Sequence, residues 1–216
     1  MDTASALAKS LAKFYRQPNE TTMSIFARRL ATIVSWIGHP LAFITISVAI
    51  VLATQLTSRN ALSLLLTIFV ALVAPMAVLL YLGVRSGRWS DADVSVREER
   101  KRFYPIAIPL SAAGTFAMWL VSAPRYILRG GIVTLGLLVI AAVINLRFKL
   151  SLHTMFATYC TTVLFRVNAL SGIVAVIMTA LVFWSRLFLT RHTLGETIVG
   201  GVLGIFGGIV AAWMSI

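Results

Sequence analysis

The sequence predicts an all-α fold: a polytopic transmembrane bundle of six to seven helices, preceded by a basic amphipathic helix. Three observations lead there. Of the 216 residues, 59% are hydrophobic and only 12% are charged, about half the charged share of a soluble domain. Mean hydropathy is +0.91. The apolar residues also come in continuous runs rather than in alternation, which favours helices over a barrel.

The chain divides into an interfacial segment, 1–24, and a membrane domain, 25–216. In residues 3–16, Ala4, Leu7, Ala8, Leu11 and Phe14 fall at helical spacing, with Lys9, Lys13 and Arg16 on other faces. Such a helix lies on an anionic bilayer surface. No basic-apolar-small pattern of a cleavable signal peptide is expected in the first 30 residues.

Seven apolar segments follow, at 31–56, 61–83, 105–123, 131–146, 153–166, 168–184 and 194–214. Most can cross a hydrocarbon core of about 30 Å. The fifth is short. His39, before Pro40 in the first, has no partner in sequence and reads as structural. Cys160, the single cysteine, reads as a small core residue, since one thiol cannot make an internal disulfide. Gly200, Gly201, Gly204, Gly207 and Gly208 form small-xxx-small spacings. They allow close packing against the fifth segment or against a second copy in a homo-oligomer.

The net charge of +12 is uneven. The acids are Asp2, Glu20, Asp91, Asp93, Glu98, Glu99 and Glu196, so a long arginine-bearing stretch has no carboxylate. There is no basic soluble domain and no aromatic-interleaved patch, which argues against nucleic acid. Lipid head groups or a phosphate ligand suit the charge better. Helix parity puts the connections after segments 2, 4 and 6 on one face. These carry the arginine-rich loop Arg97 to Arg102, then Lys149 to His153, then Ser185 to Glu196. Three polar clusters therefore converge.

Their chemistry is that of phosphate. Arg97, Arg100, Lys101, Arg102, Lys149 and Arg186 are the candidate phosphate binders, since arginine grips phosphate oxygens through paired N–H donors. His192 and Glu196 are four apart, one turn on a helix. A carboxylate there fixes the tautomer of an imidazole and raises its basicity. One histidine can attack phosphorus while a second, His153, protonates the leaving oxygen. No cofactor is called for. No HExxH or His-x-His spacing suggests a metal.

The pattern Ser185-Arg186, five residues, His192, three residues, Glu196 resembles the third motif of the type 2 phosphatidic acid phosphatase superfamily, in which Asp stands where this chain has Glu196. Ser151 and His153 match the second motif, Pro-Ser-Gly-His, in part. The first motif, Lys, six residues, Arg-Pro, is not intact. Asp93, Arg97, Glu99, Arg100 and Pro105 resemble the variant of a divergent branch. The resemblance spans residues 91–200. It implies that His192 forms a phosphohistidine, that Glu196 orients it, and that His153 protonates the departing group. It further implies that Arg186, Arg97 and Arg100 bind phosphate oxygens and that Ser151 donates a hydrogen bond to them. The implied substrate is a lipid phosphate or a polyprenyl phosphate or diphosphate. The departures in motifs one and two leave room for a silent relative that only binds or carries lipid phosphate. Outside the candidate ligand binders, the basic residues favour the face of the N-terminus by nine to four. The positive-inside rule then puts that face, with the site, in the cytoplasm of a bacterial inner membrane.

Overall fold

The computed structural model describes residues 19–213. The amphipathic helix expected at 3–16, and with it most of the interfacial segment, lies outside them. Among the described residues there are helices and no strands. In chain order they are α1 (Asn19–Ile37), α2 (Pro40–Gln55), α3 (Ser58–Ile68), a π-helical turn (Phe69–Val73), α4 (Ala74–Arg85), α5 (Arg97–Leu120), α6 (Arg125–Asn145), α7 (Leu152–Val167), α8 (Ala169–Phe188) and α9 (Leu194–Trp213). Five helical stretches are long and apolar enough to cross a membrane, or six if the bent pair α1–α2 counts as one span. This is an integral membrane protein built as an all-α bundle. Large apolar side chains such as Trp36, Trp119, Val202 and Trp213 are exposed on its outside, where hydrocarbon would cover them.

Three local features add to or alter the expectation, each for a physical reason. The first apolar segment is two helices meeting at 54°. Pro40 cannot continue α1, so the chain turns at Gly38 and His39 and restarts. His39 caps the restart, its Nδ1 accepting from the Leu41 N–H at 3.3 Å. Second, α3 and α4 form one span through the π turn, just before Pro75, where a proline costs the helix a hydrogen bond. Third, the arginine-rich stretch is no loop but the first turns of α5. Glu98 and Glu99 stand at its positive end, and Lys101 pairs with Glu98 at 2.6 Å.

The short fifth segment, α7, is the axis of the bundle. Every residue from Leu152 to Thr161 is buried. Helix α9 runs parallel to it at close range. A methyl at Gly200, Gly204 or Gly208 would run into the backbone carbonyls of Ser151, Met155 and Tyr159. Threonines tie the two helices across the gap: Thr154 Oγ1 donates to Thr197 O at 3.0 Å, and Thr158 Oγ1 to Gly201 O at 2.8 Å. The glycine stripe thus packs within the chain, against the fifth segment. The pairing fixes where the two helix starts, and the histidines beside them, sit relative to each other.

Candidate active site

The three polar connections meet at one end of the bundle and are bonded together. Arg100 reaches from α5 to Leu150 O at 2.6 Å. Lys149 Nζ donates to Arg191 O at 2.7 Å. The Ser151 N–H donates to Glu196 O at 3.1 Å. The turn 86–96 closes over the same end and is tied both within itself and to α4 and α5. Glu99 accepts from the Ser90 N–H at 3.1 Å, and Asp91 from the Ser95 N–H at 3.1 Å. The buried Trp89 donates its Nε1–H to Leu80 O at 3.2 Å. Val94 takes a positive φ of 47°, rare for a β-branched residue. Its carbonyl accepts from Arg100 Nε at 2.8 Å.

His192 sits in the turn before α9. Thr193 and Glu196 form a reciprocal cap at the start of that helix: the Thr193 N–H donates to Glu196 Oε2 at 3.2 Å, and the Glu196 N–H to Thr193 Oγ1 at 3.3 Å. The cap holds the Glu196 carboxylate in place, and Oε2 also meets His192 Nδ1 at 2.8 Å. The added methylene of Glu196 therefore still brings a carboxylate to the ring. Burial, then the positive charges of Arg100, Lys149 and Arg186, hold the His192 pKa below the usual imidazole range. A lowered pKa favours the neutral ring, and a neutral ring that donates from Nδ1 to the Glu196 carboxylate leaves the lone pair on Nε2.

Arg186 is fully buried near the end of α8. A buried guanidinium needs partners. Its Nη1 donates to Asp93 Oδ2 at 2.6 Å and to Ser35 Oγ at 2.7 Å, while Nε and Nη2 have no partner. His153, in the first turn of α7, has its Nε2 3.5 Å from Asp93 Oδ1, without a hydrogen bond between them. The His192 Nε2 is also buried without a partner. Four buried polar atoms on three side chains are thus unsatisfied at one end of one bundle. A tetrahedral oxyanion supplies what they lack: acceptors for the arginine edge, and an electrophilic centre for a nitrogen lone pair.

The other candidates fall in different places. Ser151 is the N-cap of α7, accepting from the Thr154 N–H at 3.4 Å, and is fully buried beside the site. Lys149 lies 4.0 Å from Glu196 at the rim. Arg100 spends its Nε and Nη1 on the carbonyls of Val94 and Leu150, so it braces the turn and adds charge. Arg97 points away from the cluster, to Arg147 O at 2.8 Å and Glu98 at 3.2 Å. Lys101 and Arg102 are exposed on the outer side of α5. Arg97 caps the end of α6, its side chain leaving α5 on the side facing that helix.

The sequence did not point to Ser35, and it gave Asp93 no role. His39, read as structural, is a cap, yet it also packs edge-on against His153 with ring centroids 5.4 Å apart. His39, Asp93 and His153 present ligand atoms within 4.8 Å of one another. A metal ion fits this set poorly. The Arg186 guanidinium already rests on the same carboxylate, and the His39 Nδ1 is engaged by the backbone. Beside Asp93 a cavity of about 610 Å³ lies between α1 and the turns, lined among others by Arg28, Thr32, Trp36 and Arg191. No family model, no curated protein and no solved structure matches the chain.

Proposed function

We propose that this protein is a metal-independent membrane phosphatase that hydrolyses a lipid phosphate or polyprenyl phosphate or diphosphate through a phosphohistidine, as a divergent relative of the type 2 phosphatidic acid phosphatases. The observation that carries the reading is the set of unsatisfied buried atoms: His192 Nε2, His153 Nε2, and Nε and Nη2 of Arg186.

Each residue then has a task. The Nε–Nη2 edge of Arg186 holds two phosphate oxygens. The His192 Nε2 lone pair attacks phosphorus. The bond from phosphorus to the lipid oxygen breaks, its electron pair leaves on that oxygen, and His153 supplies the proton. Glu196, bonded to Nδ1, offsets the positive charge that develops on the His192 ring. A water then attacks phosphorus, His153 takes its proton, and the N–P bond returns its pair to His192. The substrate chain stays in the bilayer, and the excess of basic residues on this face favours a cytoplasmic site.

The test is phosphate release from a panel of lipid phosphates by the purified full chain in EDTA, with phosphoenzyme trapped by an alkaline quench and analysed alongside. Release in chelator, with an acid-labile, alkali-stable phosphoenzyme, is expected. Loss of all activity in chelator, restored by Mg²⁺ or Zn²⁺, would sink the mechanism. Tight binding without release from any lipid would make the protein a carrier of lipid phosphate.

A further inference from the structure

Asp93 takes no part in the chemistry above, yet it is the carboxylate placed between the two groups that must act together. Its Oδ2 holds Arg186 at 2.6 Å and its Oδ1 stands 3.5 Å from His153 Nε2. The charged and titratable groups facing His153 come from every neighbouring element: Arg186 from α8, Arg100 from α5, Arg191 from the turn before α9, and His39 from the α1–α2 turn. His192 and its partner Glu196 stand behind them. Among the described residues, Asp93 is the carboxylate paired with His153.

This poses a problem for a leaving-group acid. In the empty site a protonated His153 would sit among guanidinium groups. With a phosphate dianion on the free edge of Arg186, the balance changes. Two added negative charges then lie next to the Asp93 carboxylate, and a proton shared by Asp93 and His153 relieves the repulsion. The 3.5 Å gap is short enough for that proton to close it into a charge-assisted hydrogen bond.

We propose that Asp93 is a positioning residue that loads the acid: it anchors Arg186 and supplies the counter-charge on which the His153 proton rests, so that binding of a phosphate dianion draws one proton into the site. This rests on the phosphatase reading above. The proton count balances over the cycle. One proton enters from solvent as the phosphate ester binds. It passes from His153 to the lipid oxygen as the P–O bond breaks. The attacking water returns a proton to His153, and that proton leaves with the departure of inorganic phosphate. Binding and protonation are reciprocally linked, so phosphate binds more tightly as pH falls through this range.

Calorimetry of inorganic phosphate binding to the detergent-purified full chain, in two buffers of different ionisation enthalpy, tests it. At about pH 8 phosphate is already a dianion. Wild type is expected to take up about one proton per phosphate bound, and Asp93→Asn none. Ser35→Ala removes the other Nη1 partner of Arg186 without removing charge, and the proton count should survive. In turnover, Asp93→Asn should lose more on a lipid phosphate than on p-nitrophenyl phosphate, whose leaving oxygen needs little protonation. If Asp93→Asn does not fold, Asp93→Glu should keep the uptake and His153→Gln should lose it. Uptake that persists in Asp93→Asn or His153→Gln, or that is absent in wild type, overturns the proposal. If His192→Ala is inactive while Asp93→Asn keeps both the uptake and the leaving-group ratio, only this inference fails. If His192→Ala turns over normally, or wild type binds no phosphate, the phosphatase reading fails and this inference with it.

Discussion

The two histidines of the site each face a carboxylate, but the two pairs are built differently. His192 and Glu196 are four residues apart, bonded at 2.8 Å and held by the same cap that starts α9. His153 and Asp93 come from a helix and a distant turn, stand 3.5 Å apart, and share the carboxylate with a buried arginine. The first pair is closed and local, which suits a ring that must keep one tautomer and present one nitrogen. The second is open and depends on how several elements pack, which suits a ring that must change its proton during each turnover. A tight local pair fixes a state; a loose composite pair permits two.

The largest expected effects fall on the closed pair. His192→Ala should abolish both phosphoenzyme and turnover on every substrate. Glu196→Gln keeps the shape but removes the charge that balances the developing imidazolium. A loss of about 10- to 100-fold, as for second-sphere partners elsewhere, is expected, with phosphoenzyme still trapped. Unchanged rates in Glu196→Gln would mean that the pair is only a helix cap. Next is Arg186→Lys, which keeps the charge and loses the two-pronged edge. A loss of about 10²–10³-fold in kcat is expected, the usual scale for removing a donor to a transition-state oxyanion. A mild loss would show that the unsatisfied Nε and Nη2 atoms do not meet the phosphate.

The distance between the two pairs is set by α7 against α9, so the third prediction concerns their contact. Gly204→Val would drive a branched side chain into the Met155 carbonyl and Thr158. Overpacking costs typically about 1–3 kcal/mol, read as a lower melting temperature in detergent. Because the contact is two turns from the site, residual activity at low temperature should fall as well. A Gly204→Val protein of normal stability and activity would show that the parallel pair is not what holds the site.

The fourth is smaller and separates the pairs by pH. His192 in the folded protein has its pKa below the ordinary 6.5, so unfolding frees it to bind a proton. Its contribution to stability is complete above that value and is lost as pH falls from there toward the folded pKa. Wild type should therefore lose melting temperature on acidification, and His192→Gln should lose less over the same range. Parallel slopes would mean that the ring is already charged when folded.

These differences also explain what could be read from the chain. The spans were legible because continuous apolar runs leave few alternatives, and the glycine stripe because only close packing needs it. The closed pair was legible as an i, i+4 spacing. The open pair was not. Asp93 meets His153 and Arg186 only after three connections have been brought together, and no local pattern encodes that. The same holds for the arginines of α5. Arg97 and Arg100 look alike in sequence, but one caps the end of α6 while the other braces two carbonyls in the interior. The bend at His39 was hidden inside a hydropathic run, although Pro40 marked it. The start of α5 was hidden because charged residues in a first helical turn resemble a loop when only hydropathy is read.

The smallest effect is expected at the outer edge of the open pair. Arg191 Nη1 bonds to Asp91 Oδ2 at 2.7 Å, with the arginine side chain 44% exposed. It looks like a latch that holds the 86–96 turn, and hence Asp93, over the site. Exposed ion pairs contribute only about 0–1 kcal/mol, and this turn has stronger ties in the buried Trp89, the Glu99 carboxylate on Ser90, and the Arg100 bond to Val94 O. Arg191→Gln should therefore lower turnover by no more than a few-fold, by about 5-fold for each kcal/mol lost, and the residual effect should shrink further in high salt. Arg100→Gln, at the buried tie, should be far worse on the same assay. If Arg191→Gln proves as damaging as Arg100→Gln, the turn is held from outside. The open pair would then be gated by a surface contact rather than built into the core.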